Sequence, residues 1–152
     1  MSSTRRYAAF ISYSHADARW AAWLQKQLES FRVPRRLVGT AGEHGPVPSR
    51  LAPVFRDREE LASANDLGGR IAQALEASDA LLVICSPAAA RSRWVNEEIR
   101  SFRRLGRGGR IHCLLVPAQP GEGGDPAFPP ALVEAMDAAR QVVHLETYIF
   151  EF

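Results

Sequence analysis

The sequence predicts an α/β fold, with a parallel sheet covered by helices on both faces. Short apolar, strand-like runs alternate with stretches of helical period, in the order β-α-β-α-β-α-β-α-β. The strongest run, ALLVIC at 80–85, has no polar alternation, as expected of a strand buried on both faces. Ser86-Pro87 follows at once, pairing a preferred helix cap with the residue best tolerated in a first helical turn. With 152 residues, 46% of them hydrophobic, the chain can bury one real core, and a net charge of +2 is too small for a disordered chain.

The elements follow in order. YAAFISY (7–13) is the first strand, and His15-Ala16-Asp17 is a turn in which Asp17 is placed to cap the next helix. That helix spans roughly 18–31, because Trp20, Trp23, Leu24, Leu28 and Phe31 recur at spacings of three and four, and Pro34 closes it. Residues 39–53 (GTAGEHGPVPSRLAP) read as a loop. Their length points to an insertion or a functional lid. Val54-Phe55 open a second strand, followed by a charged stretch at 56–60. The helix after it, at about 65–77, carries Leu67, Ile71, Ala74 and Leu75 on one face.

The helix begun at Ser86-Pro87 is expected to run to about Leu105 and stop at Gly106. IHCLLV (111–116) is the fourth strand. A Pro/Gly loop, a short helix near 130–138 and a fifth strand, VVHL (142–145), complete the series. The whole chain, 1–152, reads as one domain. TYIFEF stands where a covering helix is expected, so 146–152 read as the truncated end of a longer protein.

Several function classes are excluded by composition. Of 19 basic residues only Lys26 is lysine, but 17 acids balance them, so there is no field suited to nucleic acid. Such an arginine excess is most simply a compositional bias of the source. Cys85 and Cys113 lie inside apolar runs and are expected as buried hydrophobes, with no zinc-ligand spacing around them. His112 and His144 lie on strands and are expected to be structural. No signal peptide or membrane-length apolar stretch is visible, which makes the cytoplasm the expected compartment. Walker, Rossmann and nucleophile-elbow patterns are missing, and Ser12-Tyr13-Ser14-His15 stands where a phosphoacceptor domain would carry acids.

In open parallel sheets, ligands bind beyond the carboxyl ends of the strands. The segments that end there are 13–17, 56–64, 86–90 and 117–129. The most informative neighbouring stretch is Ser92-Arg93-Trp94-Val95-Asn96-Glu97-Glu98-Ile99. On a helix, Val95, Ile99 and Phe102 form a core stripe with Leu105 at its edge. Glu98 then falls roughly 45° from the stripe and Glu97 roughly 145° away. Glu97 should face solvent, and Glu98 should sit at the margin of the buried face one turn after Trp94. A carboxylate there is partly desolvated, which strengthens any charge interaction it makes. Geometry alone leaves a second option, a border glutamate paired with Arg91 or Arg103.

FISYSHAD (10–17), VFRDREEL (54–61), ALLVICSP (80–87) and WVNEEI (94–99), in this order, resemble a bacterial TIR domain across roughly residues 5–145. The resemblance implies a flavodoxin-like, five-stranded parallel sheet. It also implies cleavage of NAD at the nicotinamide–ribose bond by the glutamate of a W-x-x-x-E pattern, which Trp94 and Glu98 satisfy. Glu98 is then the catalytic residue, and Trp94 contacts substrate or packs at a helix start. Tyr13, Ser14 and His15 would lie beside the ribose and diphosphate, with an ordinary turn as the alternative. Arg56, Asp57 and Arg58 would begin a loop that borders the site and drives assembly, or form a solvated charged loop. NAD is implied as substrate, with no cofactor or metal. The implied partners are further TIR copies and a sensor or repeat domain in a longer parent, with no nucleic acid or membrane. The implied setting is immune signalling against phage. The competing function is a TIR interaction module without turnover, with a host-directed effector as a third possibility. Linear and cyclic ADP-ribose both remain open as products.

Overall fold

The computed structural model describes residues 6–42, 45–56, 64–116 and 129–137. Its main sheet is formed by β1 (Tyr7–Ser12), β4 (Val54–Arg56), β5 (Ser78–Cys85) and β6 (Ile111–Leu115). All pairings are parallel, in the order β4-β1-β5-β6. In sequence order this is second, first, third, fourth, the arrangement of flavodoxin-like sheets, with the topological switch between β1 and β5. The expected fifth strand, 142–145, lies outside the described residues, as do 146–152.

Helices cover both faces. α1 (Ala18–Ser30) lies on one face, where Ala21 is buried and Trp20, Leu24 and Leu28 pack around it against Ala9, Ile11, Val54 and Ile84. The opposite face, Phe10, Leu81, Val83 and Cys85, meets three helices: α2 (Ala64–Glu76) through Ile71, Ala74 and Leu75, α4 (Arg93–Arg104) through Val95, Ile99 and Phe102, and α5 (Pro130–Asp137) through Ala131 and Leu132. Period-four apolar stripes on both sides of a doubly buried strand therefore form as the sequence requires. Phe55 fixes β4 against β1, stacking on Phe10 at 5.0 Å and meeting Tyr7 edge-on at 5.2 Å.

Side chains of α1 also hold the outer margin of β4. Gln25 Nε2 donates to the Val54 carbonyl at 3.0 Å, and the Val54 amide donates to Glu29 Oε1 at 2.9 Å. At the amino end of β5, Arg107 Nη1 donates to the carbonyls of Leu75, Glu76 and Ser78 at 3.4, 2.7 and 2.9 Å. The same guanidinium lies over the Phe102 ring. One arginine thus closes the carboxyl end of α2, which supplies the terminal carbonyls a helix leaves unpaired.

Several expectations change. α1 ends at Ser30, and Phe31 is extended and half-exposed, so the stripe stops one turn early and the chain has left the helix before Pro34. The expected single helix from Ser86 to Leu105 is two. α3 (Pro87–Arg91) is capped by Ser86 Oγ accepting from the Ala89 amide, and α4 is capped by Ser92 Oγ accepting from the Val95 amide. Leu105 falls just past α4 and is exposed. The 39–53 stretch contains a small hairpin of β2 (Ala41–Gly42) and β3 (Gly45–Pro46), with Gly39 and Gly45 at positive φ. Cys85 is buried as expected, but Cys113 is exposed, because β6 buries its side chains only partly. Hydrogen bonding to Cys113, and then burial, push the Cys85 thiol up, and the same bond lowers Cys113. His112 is exposed on β6, and His144 lies outside the described residues.

Candidate functional site

Because β1 and β5 are neighbours, with Ser12 in register with Val83, the segments leaving their carboxyl ends run side by side. The chain leaves β1 through Tyr13 and Ser14 into a 3-10 turn, His15–Asp17, whose Asp17 amide donates to the Ser14 carbonyl. Tyr13 is half-buried against the α1 face, Ser14 is half-buried and His15 is exposed. Asp17 does not cap α1 with its side chain. It is 2% exposed and accepts a hydrogen bond of 2.5 Å from Ser86 Oγ. Local capping rules see only the helix that follows Asp17, whereas its partner is 69 residues away. The sequence reading missed this pair. The Ser86-Pro87 signal gave half of it.

α4 runs from this end of the sheet toward the other. It begins just beyond α3, and Arg107, which follows it, reaches Ser78 at the start of β5. Glu98 is 5% exposed within α4. The adjacent Glu97 points outward, 3.6 Å from Arg100 and 3.9 Å from Arg104. This is the orientation the helical period predicts for both glutamates, with Glu98 deeper than the margin expected. Trp94 is 46% exposed at the start of α4, a position open both to packing at the helix start and to contact with a ligand.

Asn96 was also missed by sequence reasoning. It is buried, and its Nδ2 donates to the carbonyls of Ala90 and Ser92 at 3.3 and 2.8 Å. Its Oδ1 accepts from the Ala131 amide at 2.9 Å. One side chain therefore joins α3, α4 and α5. An amide flanked by a capping serine and a core stripe was the available sequence signal.

Two polar atoms at the same end are buried without a hydrogen-bond partner among the described residues, Ser12 Oγ and Arg56 Nε. Such atoms ordinarily cost about 1–3 kcal/mol, so their retention here calls for a reason. Side chains alternate across a strand, so Ser12 shares the α4 side of the sheet with Phe10, while Arg56 shares the α1 side with Val54. Arg56 is in register with Ile11 at the end of β4. Arg56 therefore lies at the carboxyl edge on the face opposite α4, the helix that carries Glu98. Asp57 and Arg58 lie outside the described residues, as do the loop residues 57–63 and 117–128.

The hairpin does not cover this edge. Gly45, Pro46, Val47 and Pro48 line a cavity of about 240 Å³ together with Asp79, Arg110 and His112, which lie at the amino ends of β5 and β6. The lid option for this part of 39–53 is thereby removed.

A doubly wound sheet with a polar, partly unsatisfied carboxyl edge makes this an α/β domain of the class in which ligands usually meet that edge. The family model of the TIR-like domain of the Thoeris protein ThsB matches residues 10–119. The chain belongs to this family of TIR-like domains. The NAD(+) hydrolase ApTIR of an Actinoplanes species is 43% identical over 98 residues, covering 64% of this chain. The chain spans 12% of the length of that relative. The TIR domains of the activated Roq1 resistosome recognising the effector XopQ align with a TM-score of 0.46 at 20% identity. That alignment covers 72% of this chain and 55% of the other.

Proposed function

We propose that this domain hydrolyses NAD at the bond between nicotinamide and ribose, with Glu98 as the catalytic residue. The observation that carries the reading is the burial of Glu98 on the helix that starts at the carboxyl edge, beside an outward-facing and ion-paired Glu97. The identity to a protein named as an NAD(+) hydrolase supports the same chemistry.

The reaction suits such a carboxylate. Nicotinamide leaves NAD as a neutral molecule from a cationic ring, so no general acid is needed. The barrier lies in the oxocarbenium-like ribose, as in glycoside hydrolysis. A buried carboxylate beside the ribose hydroxyls orients the sugar and opposes its growing positive charge in a medium that screens little. Water then adds to the anomeric carbon and loses a proton, giving ADP-ribose. Attack by the adenine base would give a cyclic product.

The remaining assignments follow from position. Tyr13, Ser14 and His15 leave β1 where a ribose and diphosphate would lie. Arg56, with an uncommitted Nε–H at the end of β4, suits a diphosphate oxygen. Asp57 and Arg58 are assigned to the same border by resemblance alone, and the half-exposed Trp94 to the substrate's edge. A ligand reaching both Arg56 and Glu98 must straddle the edge of the sheet, which a dinucleotide is long enough to do.

Self-association of TIR copies is proposed to complete the site, within a longer parent protein acting in cytoplasmic defence against phage. No helix among the described residues is long and apolar enough to cross a membrane. The test is to incubate concentrated or crowded protein with NAD and measure nicotinamide. Release by the wild type and its loss in Glu98→Ala are expected. No release from assembled wild-type protein would instead identify a TIR interaction module without turnover.

A further inference from the structure

Among the described residues, six polar or charged side chains are buried: Ser12, Asp17, Ser78, Ser86, Asn96 and Glu98. Ser78 Oγ serves the scaffold locally, donating to the Ala74 carbonyl at the end of α2. Asp17, Ser86 and Asn96 are linked by an unbroken series of contacts that ends on the helix carrying Glu98. Asp17 Oδ2 accepts from Ser86 Oγ, and Ser86 Oγ accepts from the Ala89 amide in the first turn of α3. At the other end of α3, Asn96 Nδ2 holds the Ala90 and Ser92 carbonyls. Ser92 Oγ in turn caps α4, two residues after the end of α3.

We infer that Asp17 is a positioning residue for Glu98, acting through Ser86, the short helix α3 and the Asn96 clamp. The inference rests on the NAD reading for its functional meaning, while the relay itself is a structural statement. Its physical basis is stiffness. A five-residue helix is too short to hold its own orientation by its internal bonds. It needs an anchor at each end, Ser86 bound to Asp17 at one and Asn96 at the other. Burial of both partners makes the first anchor a strong one, since a hydrogen bond shielded from water is electrostatically stronger than one in solvent. The consequence is that the turn leaving β1, where the ribose and diphosphate are assigned, and the helix bearing the catalytic carboxylate are set relative to each other by one buried bond. A misplacement of about 1 Å in such a frame can cost on the order of a hundredfold in rate.

The test reads Glu98 directly. Protein labelled at the glutamate side-chain carboxyl carbons is titrated by NMR, with the Glu98 signal identified through Glu98→Gln. Asp17→Ala removes the acceptor. Ser86→Gly removes the donor while leaving a residue tolerated at a helix cap, and it serves where Asp17→Ala does not fold. The Glu98 midpoint is expected to move in each variant, and the double variant is expected to move it no further than either alone. In turnover, each variant should lower kcat at least tenfold with KM unchanged. An unmoved Glu98 midpoint, or shifts that add in the double variant, would overturn the relay. A rise in KM with kcat intact would also overturn it, because Asp17 would then be touching substrate itself. If the wild type releases no nicotinamide, the NAD reading fails, and the titration still decides whether the relay exists.

Discussion

The two ends of the sheet treat their polar groups differently. At the amino end, side chains are matched to backbone. Ser78 Oγ donates to Ala74, and one nitrogen of Arg107 satisfies three carbonyls at the junction of α2 and β5. At the carboxyl end, Ser12 Oγ and Arg56 Nε are buried without a partner among the described residues, and the Glu98 carboxylate is withdrawn from water. A fold that can satisfy its polar groups so fully at one end has no general difficulty in doing so. The difference matches the division expected of open α/β sheets, in which ligands meet the carboxyl ends of the strands.

Five substitutions sharpen or break this contrast. The largest effect is expected from Glu98→Ala, which should lower nicotinamide release by about 10²–10³-fold, the usual consequence of removing one group that opposes transition-state charge. Glu97→Ala should stay near wild type, and the reverse pattern in the same assay would overturn the orientation of α4. Arg107→Ala should cost about 1.5–3 kcal/mol of stability in a denaturant titration, because charged hydrogen bonds to three exposed or partly buried carbonyls are lost. Its kcat and KM should be unchanged in the folded protein. A kinetic defect there would erase the division between the ends.

Arg56→Gln should raise KM for NAD roughly tenfold with little change in thermal midpoint, since the lost charge-assisted contact is made to the substrate. An unaltered KM would remove Arg56 from the site. The smallest effect is expected from Ser12→Ala. Removing an unpaired hydroxyl should leave stability unchanged or raise it by about 1 kcal/mol, measured by the same denaturant titration. A clear loss of stability would mean that Ser12 Oγ is satisfied after all.

Much of this was legible in the sequence. ALLVIC announced the central strand because a parallel strand buried on two faces needs no alternation. Val95, Ile99 and Phe102 oriented α4 well enough to separate Glu98 from Glu97. The misses share a cause. Phe31 continued the apolar period of α1, but an extended backbone at that residue ended the stripe. Ser92 interrupted a helical run that periodicity alone would carry through, because its hydroxyl stabilises a new start. Asp17 satisfied a local capping rule while its actual partner was distant in sequence. Periodic burial is a local signal, whereas the pairing of buried polar groups depends on which strand ends become neighbours. The candidate site was therefore half visible, with the Glu98 carboxylate oriented by the helical period and the Asp17–Ser86 pair hidden in the topology.

Gln25 and Glu29 occupy both outward-facing backbone groups of Val54, the margin at which β4 would otherwise be open. An edge strand with free amides and carbonyls is a template on which another chain can extend the sheet. Here a newcomer would first have to displace an amide and a carboxylate already seated. Any association of copies that leaves these bonds intact would have to use surfaces other than this margin.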